Sequence, residues 1–168
     1  MKILKSLGYL AAADILSLFI GLTLASSSLT VIRVICAVCT SGILICFIAS
    51  YAVRSAYGDR RNERISGKKI SRTVIAAQGG ILSLPPLVSW ILLYISHSTG
   101  SFDFYRWHKL INGFFLQIYN LINSDASVSA LNQGQIFLML MLVPIPMICF
   151  FAAYTVAYRK ERGASGNE

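Results

Sequence analysis

Asp14 stands near the middle of an apolar run from Leu7 to Ala25, seven residues in from its start. A charged, unpaired carboxylate inside a membrane span is costly, so such a group is neutralised, paired or hydrated. If the run is a span, Asp14 has three roles open to it: an interhelical hydrogen bond, a proton- or cation-coupling site, or a contact with another subunit. At 1.5 Å per residue its partners by depth are Gln78, Thr155 and Ser50. Arg33 lies too far along the membrane normal and is expected to snorkel outward.

Prolines supply a second set. Pro85 and Pro86 fall inside one apolar run, and Pro144 with Pro146 inside another. Each lacks a backbone donor and tends to kink a helix. Paired breaks at one depth leave carbonyls able to coordinate a ligand, although membrane helices also carry proline for packing alone.

Cys36 and Cys39 form a C-x-x-C, with Cys46 and Cys149 elsewhere. A thiol pair at this spacing does disulfide exchange when one thiolate is stabilised and exposed, and otherwise packs as small apolar side chains. No second Cys or His pair completes a zinc site. His97 and His108 with Asp103 between them are too few ligands for a placed metal, so neither metal nor cofactor is expected. H-E-x-x-H, G-x-S-x-G and phosphate-loop patterns are absent from the sequence.

The elements that carry these residues follow from composition. Of 168 residues, 55% are hydrophobic and only 13% charged, with mean hydropathy +0.63. A soluble domain carries charge on about a quarter of its residues, so a water-soluble enzyme is not expected. About 20 apolar residues cross a bilayer as a helix, and four stretches meet that length: residues 7–25, 31–53, 73–96 and 135–158. The expected fold is an all-α bundle of four transmembrane helices, one domain over residues 1–168. Twelve of the 15 basic residues lie before the first span, in a basic loop over 54–72, or after the fourth span. Lysine and arginine are retained on the cytoplasmic side, so both termini are expected there, in a cytoplasmic cell membrane. The net charge of +8 then reports topology and attraction to anionic lipid, not nucleic acid. The N-terminal run is too long for a signal-peptide core, and an uncleaved first span is expected.

Between the third and fourth spans, Trp107, Ile111, Phe114, Phe115, Ile118 and Ile122 recur at helical spacing. Polar residues interrupt them too often for a fifth span. An outer interfacial amphipathic helix over 103–122 is expected, split at the turn signal Asn112-Gly113. Trp107, Ile111 and Phe115 are its candidate partner-facing residues. Small residues spaced by four (Gly8 and Ala12; Ala13, Ser17 and Gly21; Ala37 and Ser41; Ala76 and Gly80) offer packing faces within the chain or between copies.

The four-span layout with Cys36 and Cys39 resembles the quinone-linked disulfide oxidoreductases of the DsbB type, which also have cytoplasmic termini and a long second outer loop. The resemblance implies thiol oxidoreductase chemistry. It departs from that family in the stretch from His97 to Gly134, which contains no Cys where the family needs a second pair. Three functions therefore compete, in this order: a non-catalytic accessory or subunit of a membrane complex, a small oligomeric ion- or proton-coupled transporter using Asp14, and a thiol oxidoreductase. The partners expected are the bilayer and either a second copy or another membrane protein.

Overall fold

A computed structural model describes residues 2–24 and 30–164. Among the described residues seven α-helices follow one another: α1 (Lys2–Leu24), α2 (Thr30–Ser66), α3 (Arg72–Thr99), α4 (Tyr105–Ile111), α5 (Leu116–Ile122), α6 (Gln133–Leu140) and α7 (Ile145–Ala164). Among the described residues there is no strand. Four helical stretches, Ile3–Thr23, Val31–Ser66, Arg72–Thr99 and Gln133–Glu161, are long and apolar enough to cross a membrane. Their outward faces carry exposed Leu4, Ile15, Phe19, Val31, Val38 and Val156, apolar side chains that the bundle itself does not cover.

The helix α2 is the spine. It packs most extensively against α7 and then α1, and its Leu44, Ile48 and Tyr51 are buried with Phe150 and Tyr154 of α7 and Leu10 and Ala13 of α1. The rings of Tyr51 and Phe150 lie 5.8 Å apart. Residues 54–66, expected within a loop, continue α2 as helix, so only 67–71 connects it to α3. The reason lies in side chains that bond across to α7. Tyr154 Oη donates to Asp59 at 3.0 Å, Tyr158 Oη donates to Glu63 at 2.7 Å, and the Arg64 guanidinium meets Glu161 at 2.8 Å. Gly67, at φ +68°, ends the helix with its N–H on the Glu63 carbonyl. Ser71 then caps α3 through Thr73 N–H.

The prolines behave unequally. α3 runs unbroken through Pro85 and Pro86. The fourth stretch breaks into α6 and α7 at residues 141–144. Without the proline nitrogens, the Leu140 and Leu142 carbonyls lose their usual donors, yet both are taken by tighter bonds from Val143 and Ile145 N–H, at 3.1 and 3.2 Å. The expected pair of matching breaks is therefore a single break, and its carbonyls are occupied.

Candidate functional site: the hairpin folded into the bundle

The outer segment is not one amphipathic helix on the surface. It splits at Asn112-Gly113, as the turn signal suggests, into α4 and α5 joined by a 3-10 turn over Gly113–Phe115, and the pair tucks between α1, α2 and α3. The turn reaches Asp14, whose Oδ1 accepts the Gly113 N–H at 2.6 Å. Asp14 is ten residues from the end of α1, about 15 Å at helical rise, and Ser89, which also meets the hairpin, is equally far from the end of α3. That depth is about half the hydrocarbon thickness of a bilayer.

Close approach is what makes this possible. A Cβ on Gly113 would fall 2.2 Å from Leu18 Cγ and 3.2 Å from Asp14 Oδ1, so only glycine lets the turn seat against α1. The receiving face of α1 is Asp14, Leu18 and Gly21, while the buried Ser17 beside it turns to α2, its Oγ donating to the Thr40 carbonyl at 3.4 Å. Gly21 lies under Leu116, and its carbonyl accepts from Gln117 Nε2 at 3.3 Å. Gly8 and Ala12, on another face of α1, remain exposed.

On the α3 side, Ser89 Oγ lies 2.8 Å from His108 Nδ1 and accepts from Asn112 Nδ2 at 3.2 Å. Either the hydroxyl donates to Nδ1 and the ring proton sits on Nε2, or Nδ1–H donates to the hydroxyl. All three residues are buried, and His108 Nε2 and Asn112 Oδ1 have no partner among the described residues. Burial, with Lys109 adding to it, pulls His108 down to about 4, so the imidazole is neutral at pH 7. A serine hydroxyl against a neutral imidazole is the arrangement of a nucleophile and its base. It also clamps α4 to α3.

Lys109 closes the end of the hairpin away from its turn. Its ammonium donates to Asn120 Oδ1 and to the carbonyls of Asn123 and Asp125 at 2.9, 3.1 and 2.8 Å, and sits 4.3 Å from the Tyr105 ring centre. Burial draws it down to about 8 against the opposing pull of Asp125. The Tyr105 hydroxyl donates to the Asn123 carbonyl at 3.1 Å, and its acidity is weakened, first by burial. Asp103 accepts from Tyr105 N–H and Val128 N–H, both at 3.2 Å, tying the start of α4 to the stretch before α6.

Several expected placements change in this light. Asp14 is bonded to the hairpin backbone, not to Gln78, Thr155 or Ser50. Gln78 is buried in α3 with both amide atoms unpartnered among the described residues. Trp107 and Ile111 are exposed on α4, but Phe115 is 1% exposed and belongs to the core of the hairpin, so it cannot face a partner. His97, Asp103 and His108 do not converge; His97 Nε2 is 3.2 Å from the Leu131 carbonyl. Among the described residues no group of three His, Cys, Asp or Glu side chains is placed to hold a metal. Cys36 is buried and Cys39 exposed, and both are free thiols. Pro85 lines an apolar groove of about 490 Å3 between α1 and α3, with Leu7, Val88, Ser89 and Ile111. Ser89, Tyr105, Lys109 and Gln117 are site residues that sequence reasoning missed, and Gly113 entered it only as part of a turn. Only Gly113, in the Asn-Gly turn, left a signal.

No family model matches the chain, and neither a curated protein nor a solved structure matches it.

Proposed function

We propose that this chain is a multi-pass protein of the cytoplasmic membrane with both termini cytoplasmic, acting as a non-catalytic accessory or subunit of a membrane complex. The supporting observation is the use made of the interior polar groups. Asp14, Ser89, Asn112 and Gln117 all bond within or to the hairpin, which fills the outer half of the bundle. That arrangement favours a fixed plug over a polar path for an ion, so Asp14 anchors the hairpin and does not couple transport. The exposed side of α4, with Trp107 and Ile111, is the face offered to a partner. Extraction of the tagged protein in mild detergent, followed by mass spectrometry, tests this. One other membrane protein at fixed stoichiometry, lost in Trp107→Asp or Ile111→Asp, is expected. Recovery alone or only as a homo-oligomer overturns the subunit role.

One observation favours a second reading, acyl transfer by Ser89 with His108 as base: the 2.8 Å contact between them lies beside the apolar groove. Labelling by a lipophilic fluorophosphonate that disappears in Ser89→Ala would establish that reading over the first.

A further inference from the structure

At the opposite, basic end of the bundle, residues 67–71, the first turn of α3 and the last turns of α7 enclose a cavity of about 560 Å3. Four cations line it: Arg60, Lys69, Arg72 and Arg159. Topology alone requires that positive charges lie on one side, but not that residues from α2, the connection, α3 and α7 converge on one cavity. Of the four, Arg60 is committed elsewhere. Its Nη1 pairs with Glu63 at 3.0 Å, its plane lies over the Tyr158 ring at 5.0 Å, and its buried Nε lacks a partner among the described residues. Lys69, Arg72 and Arg159 are exposed, and among the described residues no ion pair engages them. Thr155 brings a hydroxyl group to the same wall, the Tyr158 hydroxyl being taken by Glu63, and Ile75, one turn along α3, makes the wall apolar toward the bundle centre.

Several cations with the Thr155 hydroxyl around one concavity match a phosphate, which offers oxygens on every side. The apolar wall adjoining the charges matches the glycerol and chain region of a lipid, and basic pockets between helices at the cytoplasmic surface bind anionic headgroups. We propose that this cavity binds a phosphate group, supplied by an anionic phospholipid headgroup or by free phosphate. The three exposed cations bind the anion, and Glu63 keeps Arg60 and the 67–71 connection in place behind them through Ile70 N–H at 2.8 Å. This inference rests on the reading of the chain as a membrane protein, but not on its having a protein partner.

The test uses the full-length protein reconstituted into phosphatidylcholine vesicles, with or without phosphatidylglycerol. Flotation of the protein with pure phosphatidylcholine vesicles reports membrane insertion by itself, so failure of the membrane reading is seen separately. Native mass spectrometry then counts retained phosphatidylglycerol in wild type, in Arg72→Gln with Arg159→Gln, and in the control Arg61→Gln with Lys68→Gln, which removes equal charge outside the cavity. Retention by wild type and control, with an affinity about tenfold lower in the cavity variant, is expected for a lipid headgroup. Stabilisation by inorganic phosphate alone, lost in the cavity variant, supports the same site with free phosphate as its ligand. Equal loss in both variants, or no retention and no phosphate effect in wild type, overturns the proposal.

Discussion

The carboxylate of Asp14 accepts a 2.6 Å hydrogen bond from the backbone N–H of Gly113, 99 residues away, and this contact fixes the depth of the hairpin in the bundle. A buried N–H at the turn needs an acceptor, because an unpaired one costs about 1–3 kcal/mol. Asp14→Asn keeps an acceptor oxygen at that place, and thermal unfolding in detergent should shift little. Asp14→Leu removes it and should destabilise by that amount. Complete loss of stability in the Asn variant would show that the charge itself is required.

Gly113→Ala puts a methyl group into Leu18. Neither α1 nor the turn can retreat without breaking the Asp14 bond, so destabilisation of about 1–3 kcal/mol is expected from overpacking. Proteolysis within 105–122 should rise in parallel. The double variant Gly113→Ala with Leu18→Ala relieves the clash and should recover part of the loss.

Ser89 and His108 should behave as one unit. Removing either leaves the other buried without its partner, so the Ser89→Ala, His108→Ala and double variants should give a coupling energy of about 0.5–3 kcal/mol. Additive effects, measured by unfolding midpoints, would mean that the 2.8 Å contact adds nothing to the hold of α4 on α3.

His108 also predicts an acid-side instability. Its value falls from 6.5 to about 4 on burial, so the unfolded chain binds the additional proton between those values. Stability from this residue is fully present above pH 6.5 and declines as the pH falls toward 4, by about 3 kcal/mol in all. His108→Gln should remove that part of the pH dependence, read as the unfolding midpoint at pH 4.5 against pH 7.5.

Glu63 accepts from Ile70 N–H and from Tyr158, and pairs with Arg60, so Glu63→Ala should release the 67–71 connection. Limited trypsin digestion should then cut after Lys68 and Lys69 faster than in wild type. Glu161→Gln, which loses only the exposed pair with Arg64, should leave the digestion rate unchanged.

Four long apolar helices, and the gathering of basic residues at one end, were determined by the sequence itself. Both are properties of segments: twenty apolar residues leave the backbone no option in lipid but to bond within the helix. The split at Asn112-Gly113 was legible for the same reason, since a turn is chosen by residues adjacent in the chain. What the tertiary structure decided is which distant groups meet. The apolar spacing from Trp107 to Ile122 is equally compatible with an interfacial helix and with a hairpin pushed inward. The choice turned on the close seat that Leu18 and Gly21 offer in α1, the absence of a side chain at Gly113, and an acceptor at Asp14. Likewise the extension of α2 to Ser66 depended on Tyr154 and Tyr158 lying opposite Asp59 and Glu63, about 95 residues further along the chain. Pairings of that kind are set by how packed helices align in space, which no local pattern of residues encodes.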